Sequence, residues 1–179
     1  MLELVVEDSE WFDETTNEFY PIKGCVLRLE HSLVSISKWE SKWKVPFLSR
    51  EKKTYEQTLD YIKCMTINQN VKPETYLGIT NDHIRQVNEY ISDEKTATTF
   101  KETNNIANRQ VVTSELIYFW MAQFNIPMEC QKWHFSRLIT LLRVASIKNT
   151  PEKKMSRNAI LSQNRSLNAA RRKALKSKG

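Results

Sequence analysis

The chain has 179 residues, 40% of them hydrophobic and 10% aromatic, which is enough for one folded domain and an appendage. Three glycines are too few for glycine-rich phosphate loops or dinucleotide fingerprints, and three widely spaced cysteines argue against a disulfide framework or a cysteine zinc site. The net charge is +6, but the first twenty residues contain no Lys or Arg and no long apolar run, so we expect no secretory signal peptide.

Charge is strongly separated along the chain. The first twenty residues hold seven acids and no base, whereas residues 148–179 hold ten Lys or Arg and one Glu, a net charge of +9. Such separation predicts electrostatic contact with a partner or with another copy of the chain. The alternative is that both charged ends are simply solvated.

The first thirty-one residues have the pattern of short strands. Residues 2–6 form an apolar run, residues 8–17 are polar and turn-rich, and residues 18–22 and 25–30 look extended. In the last of these segments apolar and polar residues alternate imperfectly, which is typical of a strand with one buried face. We therefore predict a small antiparallel sheet or two hairpins.

A helix is predicted next, with Ser32 as its N-cap and an end before Pro46. Leu33, Ile36, Trp39 and Trp43 fall within roughly 120° of arc, a width typical of a face directed at the core. The alternative is that the two tryptophans are exposed anchors for a partner. We favour the core.

Two further helices follow in the middle of the chain. Ser49 or Thr54 begins the first, and Thr80 caps the second with Asp82 in its first turn, where a carboxylate suits the helix dipole. Residues 92–108 are rich in Thr and Asn and predict a long loop.

The segment from Thr113 to about Ile147 is the most apolar part of the chain. Residues 116–121 and Phe124 are apolar all round a helix, which predicts burial on every side. Pro127 is expected near the start of another helix that ends at about Ile147. These two helices predict a core hairpin on which the helix after Ser32 packs. The candidate core or interface aromatics are Trp39, Trp43, Trp120 and Trp133.

The predicted fold class is therefore α+β, mainly α. A small N-terminal antiparallel β element is followed by a helical body and a basic C-terminal helical arm. Residues 1–147 are expected to form a single globular domain, β-rich over 1–31 and helical over 32–147, and residues 148–179 a basic linker and arm. The longest apolar run, residues 116–122, is too short to span a bilayer, so no membrane contact is expected.

The basic arm is the candidate contact for a partner protein or for nucleic acid. Its bases could neutralise several phosphates, but it contains no aromatic residue that would stack on bases. Any nucleic-acid contact should then be limited to the backbone and blind to sequence, and we do not favour it. The candidate contact residues are Lys153, Lys154, Arg157, Arg165, Arg171, Arg172, Lys173 and Lys176.

No arrangement of residues predicts catalysis. His134 lies four residues after Cys130, a spacing that could pair a nucleophile with its base on one helix face. His134 also falls in the apolar sector of that helix, and a buried neutral histidine with one hydrogen-bond partner is the better interpretation. Metal-ligand spacing and a pair of acids suited to acid–base catalysis are missing. We expect neither an enzyme, nor a cofactor, nor a metal.

Several segments together resemble a group of small proteins from tailed bacteriophages and prophages. They are LEHSLVSISKWESKWKVPFL at 29–48, DYIKCMT at 60–66, TSELIYFWM at 113–121, IPMECQKWHFSRLITLLRV at 126–144 and SLNAARRKALKSKG at 166–179. The group is associated with tail morphogenesis, and with tail assembly chaperones in particular. The matching segments span nearly the whole chain in order, but they contain no site motif.

The resemblance implies a non-enzymatic tail assembly factor that binds the tape-measure or tail-tube protein in the host cytoplasm. A structural subunit of the tail, neck or capsid, retained in the virion, is the first alternative. A sequence-nonspecific nucleic-acid-binding accessory protein is the second. The opposite charges of the two ends also suggest self-association, with the acidic head of one copy against the basic arm of the next, a heterologous contact.

Overall fold

The structure is a computed structural model that describes residues 1–15, 17–100, 111–149 and 157–175. It divides into two compact units, Met1–Ser146 and Ile147–Gly179. Four short strands come first: β1 (Leu2–Val6), β2 (Ser9–Asp13), β3 (Glu18–Ile22) and β4 (Cys25–Leu29). The helices are α1 (Leu33–Trp43), α2 (Tyr55–Met65), α3 (Asn81–Ser92), α4 (Ser114–Gln123), α5 (Phe135–Asn149) and α6 (Arg157–Leu175). Two 3₁₀ helices lie at Pro73–Gly78 and Met128–Lys132. The predicted α+β, mainly helical class is confirmed.

The strands form two antiparallel pairs. The β2–β3 pair lies in the sequence between the two strands of the β1–β4 pair. β1 pairs with β4, with Leu4 opposite Leu27, and β2 pairs with β3, with Trp11 opposite Tyr20. The sequence prediction was wrong over residues 9–13, where it expected a turn-rich segment and the structure has strand β2. The aromatic residues of β2 explain the difference, because they have high strand propensity and pair across to the aromatics of β3.

The β1–β4 pair has one buried face. Leu4, Val6, Leu27 and Leu29 are buried, whereas Val5, between them in the sequence, is exposed. This alternation follows from the two-residue period of a strand. After α2 the chain returns to the edge of β4, where Ile67 donates its backbone N–H to the carbonyl of Arg28 at 2.8 Å. The small sheet therefore covers one side of the core.

Helix α1 lies at the centre of the core. Leu33, Ile36 and Trp39 are fully buried and Trp43 is half-buried, so the predicted core face is confirmed. Ser32 is its N-cap: the side chain accepts from the N–H of Ser35, and the Ser35 hydroxyl accepts in return from the N–H of Ser32. α1 packs against α2, α4 and the second 3₁₀ helix.

The two middle helices begin as local sequence signals indicate. Of the two predicted starts of α2, Thr54 is the N-cap, and its side chain accepts from the N–H of Gln57. The predicted N-cap Thr80 of α3 is confirmed, and its backbone N–H donates to the ring of His83. The predicted loop over residues 92–108 falls partly on residues 101–110, which lie outside the described residues.

Two predictions about the apolar segment were wrong. α4 is not buried on every side, because Phe119 is 60% exposed while Ile117 and Met121 are fully buried. The helix expected from Pro127 to Ile147 is interrupted: the 3₁₀ helix ends at Lys132 and α5 begins at Phe135. The interruption has a tertiary cause, since the backbone N–H of Phe135 donates to the carbonyl of His31 at 2.7 Å.

Candidate interaction surfaces

The hairpin of β2 and β3 carries four aromatic side chains, and we call it the aromatic hairpin. Its register places Trp11 opposite Tyr20 and Phe12 opposite Phe19, with ring centroids 6.2 and 4.9 Å apart respectively. Neighbouring residues of a strand point to opposite faces, so each pair lies on its own face. Beyond the strands, Asn17 has a φ of 57°, in the left-handed region that Asn tolerates better than most residues.

The aromatic hairpin is fixed at its base and exposed towards its turn. Both strands pack against the first 3₁₀ helix, and Ile22, at the end of β3, is buried. By contrast, Phe19 is 66% exposed and Phe12 is 40% exposed. Aromatic side chains contribute much of the binding energy at protein interfaces because each buries a large area on contact. An exposed aromatic cluster on strands that are packed at their base is therefore a candidate binding surface.

Acidic side chains surround these aromatic rings. Glu10, Glu14 and Glu18 are exposed, and Glu18 accepts a hydrogen bond from the hydroxyl of Tyr20 at 3.4 Å. In the part of the chain that the structure describes, none of these three glutamates forms an ion pair. The surface therefore combines apolar area with negative charge.

Sequence reasoning missed the aromatic hairpin as a surface. The available signal was the recurrence of adjacent aromatic residues on both sides of a short polar segment, Trp11-Phe12 before it and Phe19-Tyr20 after it. Strands rich in aromatic residues that flank a polar turn predict a hairpin. Exposure of the rings could not have been read from that pattern, because it depends on which neighbouring elements cover the strands.

Helix α6 is the second candidate surface. Every described side chain on it is exposed, including Leu161 at 49%, Leu167 at 47% and Leu175 at 78%. Among the predicted contact residues, Arg165, Arg171, Arg172 and Lys173 are on this helix with exposed side chains. Arg157 is its first residue, and its side chain is not described. Lys153, Lys154 and Lys176 lie outside the described residues.

The four candidate tryptophans do not form one surface. Trp39 is buried and donates from Nε1 to the carbonyl of Gln57 at 2.9 Å, and Trp43 donates from Nε1 to Asp60 Oδ2 at 2.9 Å. Trp133 is half-buried beneath the guanidinium of Arg137, 4.2 Å from the ring centroid. Trp120 lines a groove of about 320 Å³ between α4 and α5. The structure therefore assigns these rings to the core and its edges.

A buried polar cluster lies beneath the junction of α1 and α5. The Tyr61 hydroxyl is 2.5 Å from Nδ1 of His31 and 3.3 Å from the Ser35 hydroxyl. Burial, assisted by the charge of His134, lowers the pKa of His31 to about 3, and burial raises the pKa of Tyr61. His31 is only 3% exposed, so this cluster is closed to a substrate as it stands.

His134 has two hydrogen-bond partners, where the sequence predicted one. Its Nδ1 is 2.8 Å from the Ser136 hydroxyl and its Nε2 is 3.2 Å from the carbonyl of Tyr90. A neutral imidazole satisfies both, because it donates from one nitrogen and accepts at the other. Burial lowers the pKa of His134. Cys130 belongs to the 3₁₀ helix that precedes α5, so the two residues do not share the helix face predicted for them.

Comparison with known protein families, with curated proteins and with solved structures finds no match for this chain. No described helix is both long enough and apolar enough to cross a membrane. Within the described residues, no group of three or more His, Cys, Asp or Glu side chains is placed to hold a metal ion. The aromatic hairpin and α6 are thus the two surfaces from which a function can be argued.

Proposed function

We propose that this chain is a non-enzymatic assembly factor of tailed bacteriophages that binds the tape-measure or tail-tube protein during morphogenesis. The resemblance of five ordered segments to phage tail morphogenesis proteins supports the phage context. The observation that carries the binding function is the aromatic hairpin, whose Phe19 is two-thirds exposed on strands anchored at their base. A partner that covers Phe12 and Phe19 gains a large apolar contact area.

The contacts at the base of the hairpin strengthen this interpretation. A binding surface loses less conformational entropy when its residues are already ordered before the partner arrives. The backbone N–H of Gly24, just after β3, donates to Asp8 Oδ1 at 2.7 Å, which links the two ends of the hairpin. The aromatic side chains are therefore presented by a framework that does not need to form on binding.

Co-expression with a candidate tape-measure protein or tail-tube protein tests the proposal. The wild-type chain should capture one of them in a pull-down, and the double variant Phe12→Ser, Phe19→Ser should bind at least about tenfold more weakly. Phe119→Ser is the matched control, because Phe119 is 60% exposed but lies on α4. Equal melting temperatures for the variants would show that the fold is kept.

Two results would overturn the proposal. The first is that neither the tape-measure nor the tail-tube protein is captured by the wild-type chain. The second is that the hairpin variant and the Phe119→Ser control bind equally well. Purified virions separate the assembly factor from the structural-subunit alternative, since an assembly factor is absent from finished particles and a subunit is present in them.

A further inference from the structure

We propose that helix α6 of one copy of this chain docks on the aromatic hairpin of a second copy. This inference goes beyond the proposed function, because it concerns contacts between copies of the chain. Both surfaces expose apolar side chains beside charges of one sign, negative on the hairpin and positive on α6. Surfaces with that combination of features complement each other in both charge and hydrophobicity.

The positive surface of α6 is organised around three leucines. At 100° per residue, Leu161, Leu167 and Leu175 fall within a sector about 120° wide, which we call the leucine sector. Arg171 lies inside this sector and is exposed. Lys173 lies about 180° from the middle of the sector, on the opposite side of the helix. One side of α6 thus combines apolar side chains with arginine, as interface surfaces commonly do.

The two surfaces also agree in size. Each strand of the hairpin has five residues and so extends about 17 Å. Leu161 and Leu175 are separated by about 21 Å along the helix axis, at 1.5 Å per residue. About three turns of α6 can therefore lie along the face of the hairpin that carries Phe12 and Phe19 and bring two leucines over these rings. Glu10 shares that face and would lie near the arginine side chains.

The second copy is a better occupant than nucleic acid for this surface of α6. A phosphate backbone would neutralise the bases but would leave the leucine sector exposed to water. The arm, moreover, has no aromatic residue to stack on bases. Docking on the Phe12–Phe19 face of the hairpin covers these two rings and the leucine sector. It also neutralises Glu10, which shares that face and lacks an ion pair among the described residues.

The proposed contact joins two different surfaces, so it is heterologous, and it closes in a pair only if each of two copies docks its arm on the other. Each copy that receives an arm on its hairpin still has its own arm available to the next copy. Rings or short chains of copies are therefore expected, and their size should increase with protein concentration. Because the contact involves many exposed charges, it should weaken as salt is added.

Sedimentation velocity of the purified full chain tests this proposal. The wild-type chain should self-associate at about 0.05 M salt and dissociate at about 0.5 M salt. Arg171→Glu should weaken self-association at least about tenfold, and Lys173→Glu should weaken it by less than about threefold. The two substitutions change the net charge equally, so a difference between them reports the side of the helix that makes contact.

Mixing two variants tests whether the contact is heterologous. One variant removes two aromatic rings of the hairpin (Phe12→Ser, Phe19→Ser), and the other reverses the charge of the helix (Arg171→Glu, Arg172→Glu). Each alone should be monomeric, but a mixture should form pairs in a one-to-one ratio that do not extend, because only one unaltered hairpin and one unaltered helix remain between them.

Three results would overturn the proposal: a wild-type chain that is monomeric at low salt, equal effects of Arg171→Glu and Lys173→Glu, and a mixture of the hairpin variant and the helix variant that does not pair. If the wild-type chain is monomeric and binds a DNA duplex, and if Arg171→Glu and Lys173→Glu weaken that binding equally, then α6 is instead a nucleic-acid-binding surface. These measurements contain no partner protein. A result that overturns self-association therefore does not affect the proposal that the chain captures the tape-measure or tail-tube protein.

Discussion

The carboxylate of Glu40 holds the first residue of α4, Ser114, whose backbone N–H donates to Glu40 Oε2 at 2.8 Å. The other oxygen, Oε1, accepts from the backbone N–H of Phe47 at 2.7 Å. Thr113, the N-cap of α4, provides no side-chain capping hydrogen bond. A buried acid from α1 therefore accepts a hydrogen bond from a backbone N–H at the start of α4 that has no partner within the helix. Its negative charge also interacts favourably with the positive end of the α4 dipole.

Replacing Glu40 by Gln should destabilise the protein by about 1–3 kcal/mol. The amide keeps one oxygen acceptor but directs an NH₂ group at the second backbone donor, which is left unsatisfied in a buried site. Urea denaturation measures the loss in the free energy of unfolding. Glu51→Gln, at an exposed position, is the control and should change that free energy by less than about 0.5 kcal/mol. Equal effects of the two variants would show that the Glu40 contacts contribute little.

Replacing Trp39 by Ala should cost about 3–5 kcal/mol, because the ring is fully buried and its Nε1 donates to the carbonyl of Gln57. Phe19→Ala, on the aromatic hairpin, should change the free energy of unfolding by about 0.5 kcal/mol or less. Thermal and urea unfolding measure both. If Trp39→Ala left stability unchanged but removed partner binding, the assignment of Trp39 to the core and of the hairpin to binding would be reversed.

Stability should decrease as the pH falls below about 6.5. The pKa of His31 is about 3 in the folded protein and about 6.5 in the unfolded chain, so between these values the unfolded chain binds the extra proton. The contribution of His31 to stability is therefore complete above pH 6.5 and is lost progressively towards pH 3, at no more than about 1.4 kcal/mol per pH unit. The pKa of His134 is also lowered by burial, so protonation of this residue likewise destabilises the folded protein as the pH falls.

The variant His31→Asn isolates that contribution. It removes the titrating ring, so the slope of unfolding free energy against pH between about 4 and 6 should become smaller, whatever the change in stability at neutral pH. Chemical denaturation at several pH values gives both slopes. Identical slopes for the wild type and the variant would mean that other groups account for the acid sensitivity.

Replacing Gly24 by Ala should destabilise the hairpin base by about 1–3 kcal/mol. A Cβ at this position would lie 2.4 Å from the carbonyl oxygen of Val6 and 2.7 Å from the backbone N of Asp8, so main chain would have to move. Gly78→Ala is a useful comparison, because its Cβ would meet a Val6 methyl group at 2.9 Å and a side chain yields more easily. Urea denaturation should rank the Gly24 variant as the less stable. The opposite order would show that the backbone near β1 is more adaptable than its contacts indicate.

The parts of the fold that were predictable are those set by neighbouring residues in the sequence. Ser32 and Thr80 cap their helices through side chains that reach only three residues along the chain, and such signals can be read directly. The apolar face of α1 also follows from helical spacing. Strand β2 was missed because its polar ends dominated the pattern, although its aromatic pair was visible.

The candidate site was only partly predictable. The bases of the arm were evident from composition, and the structure places Arg165, Arg171, Arg172 and Lys173 on one helix. The aromatic hairpin was not identified, and Trp120 and Trp133 were grouped with Trp39 and Trp43 although they lie in separate places. Residue type shows that an aromatic ring is available for packing, but its exposure depends on elements distant in sequence.

The sequence by itself determined the mainly helical class with a β-rich start, the capped helices and the opposite charges of the two ends, because these follow from local geometry and composition. Only the tertiary structure decided which aromatic rings are covered. It showed that Phe119 and Phe19 face outward while Trp39 is enclosed, and that the helix after Pro127 is interrupted where Phe135 meets His31. Burial and long-range hydrogen bonds join residues far apart in the chain, and no local pattern contains them.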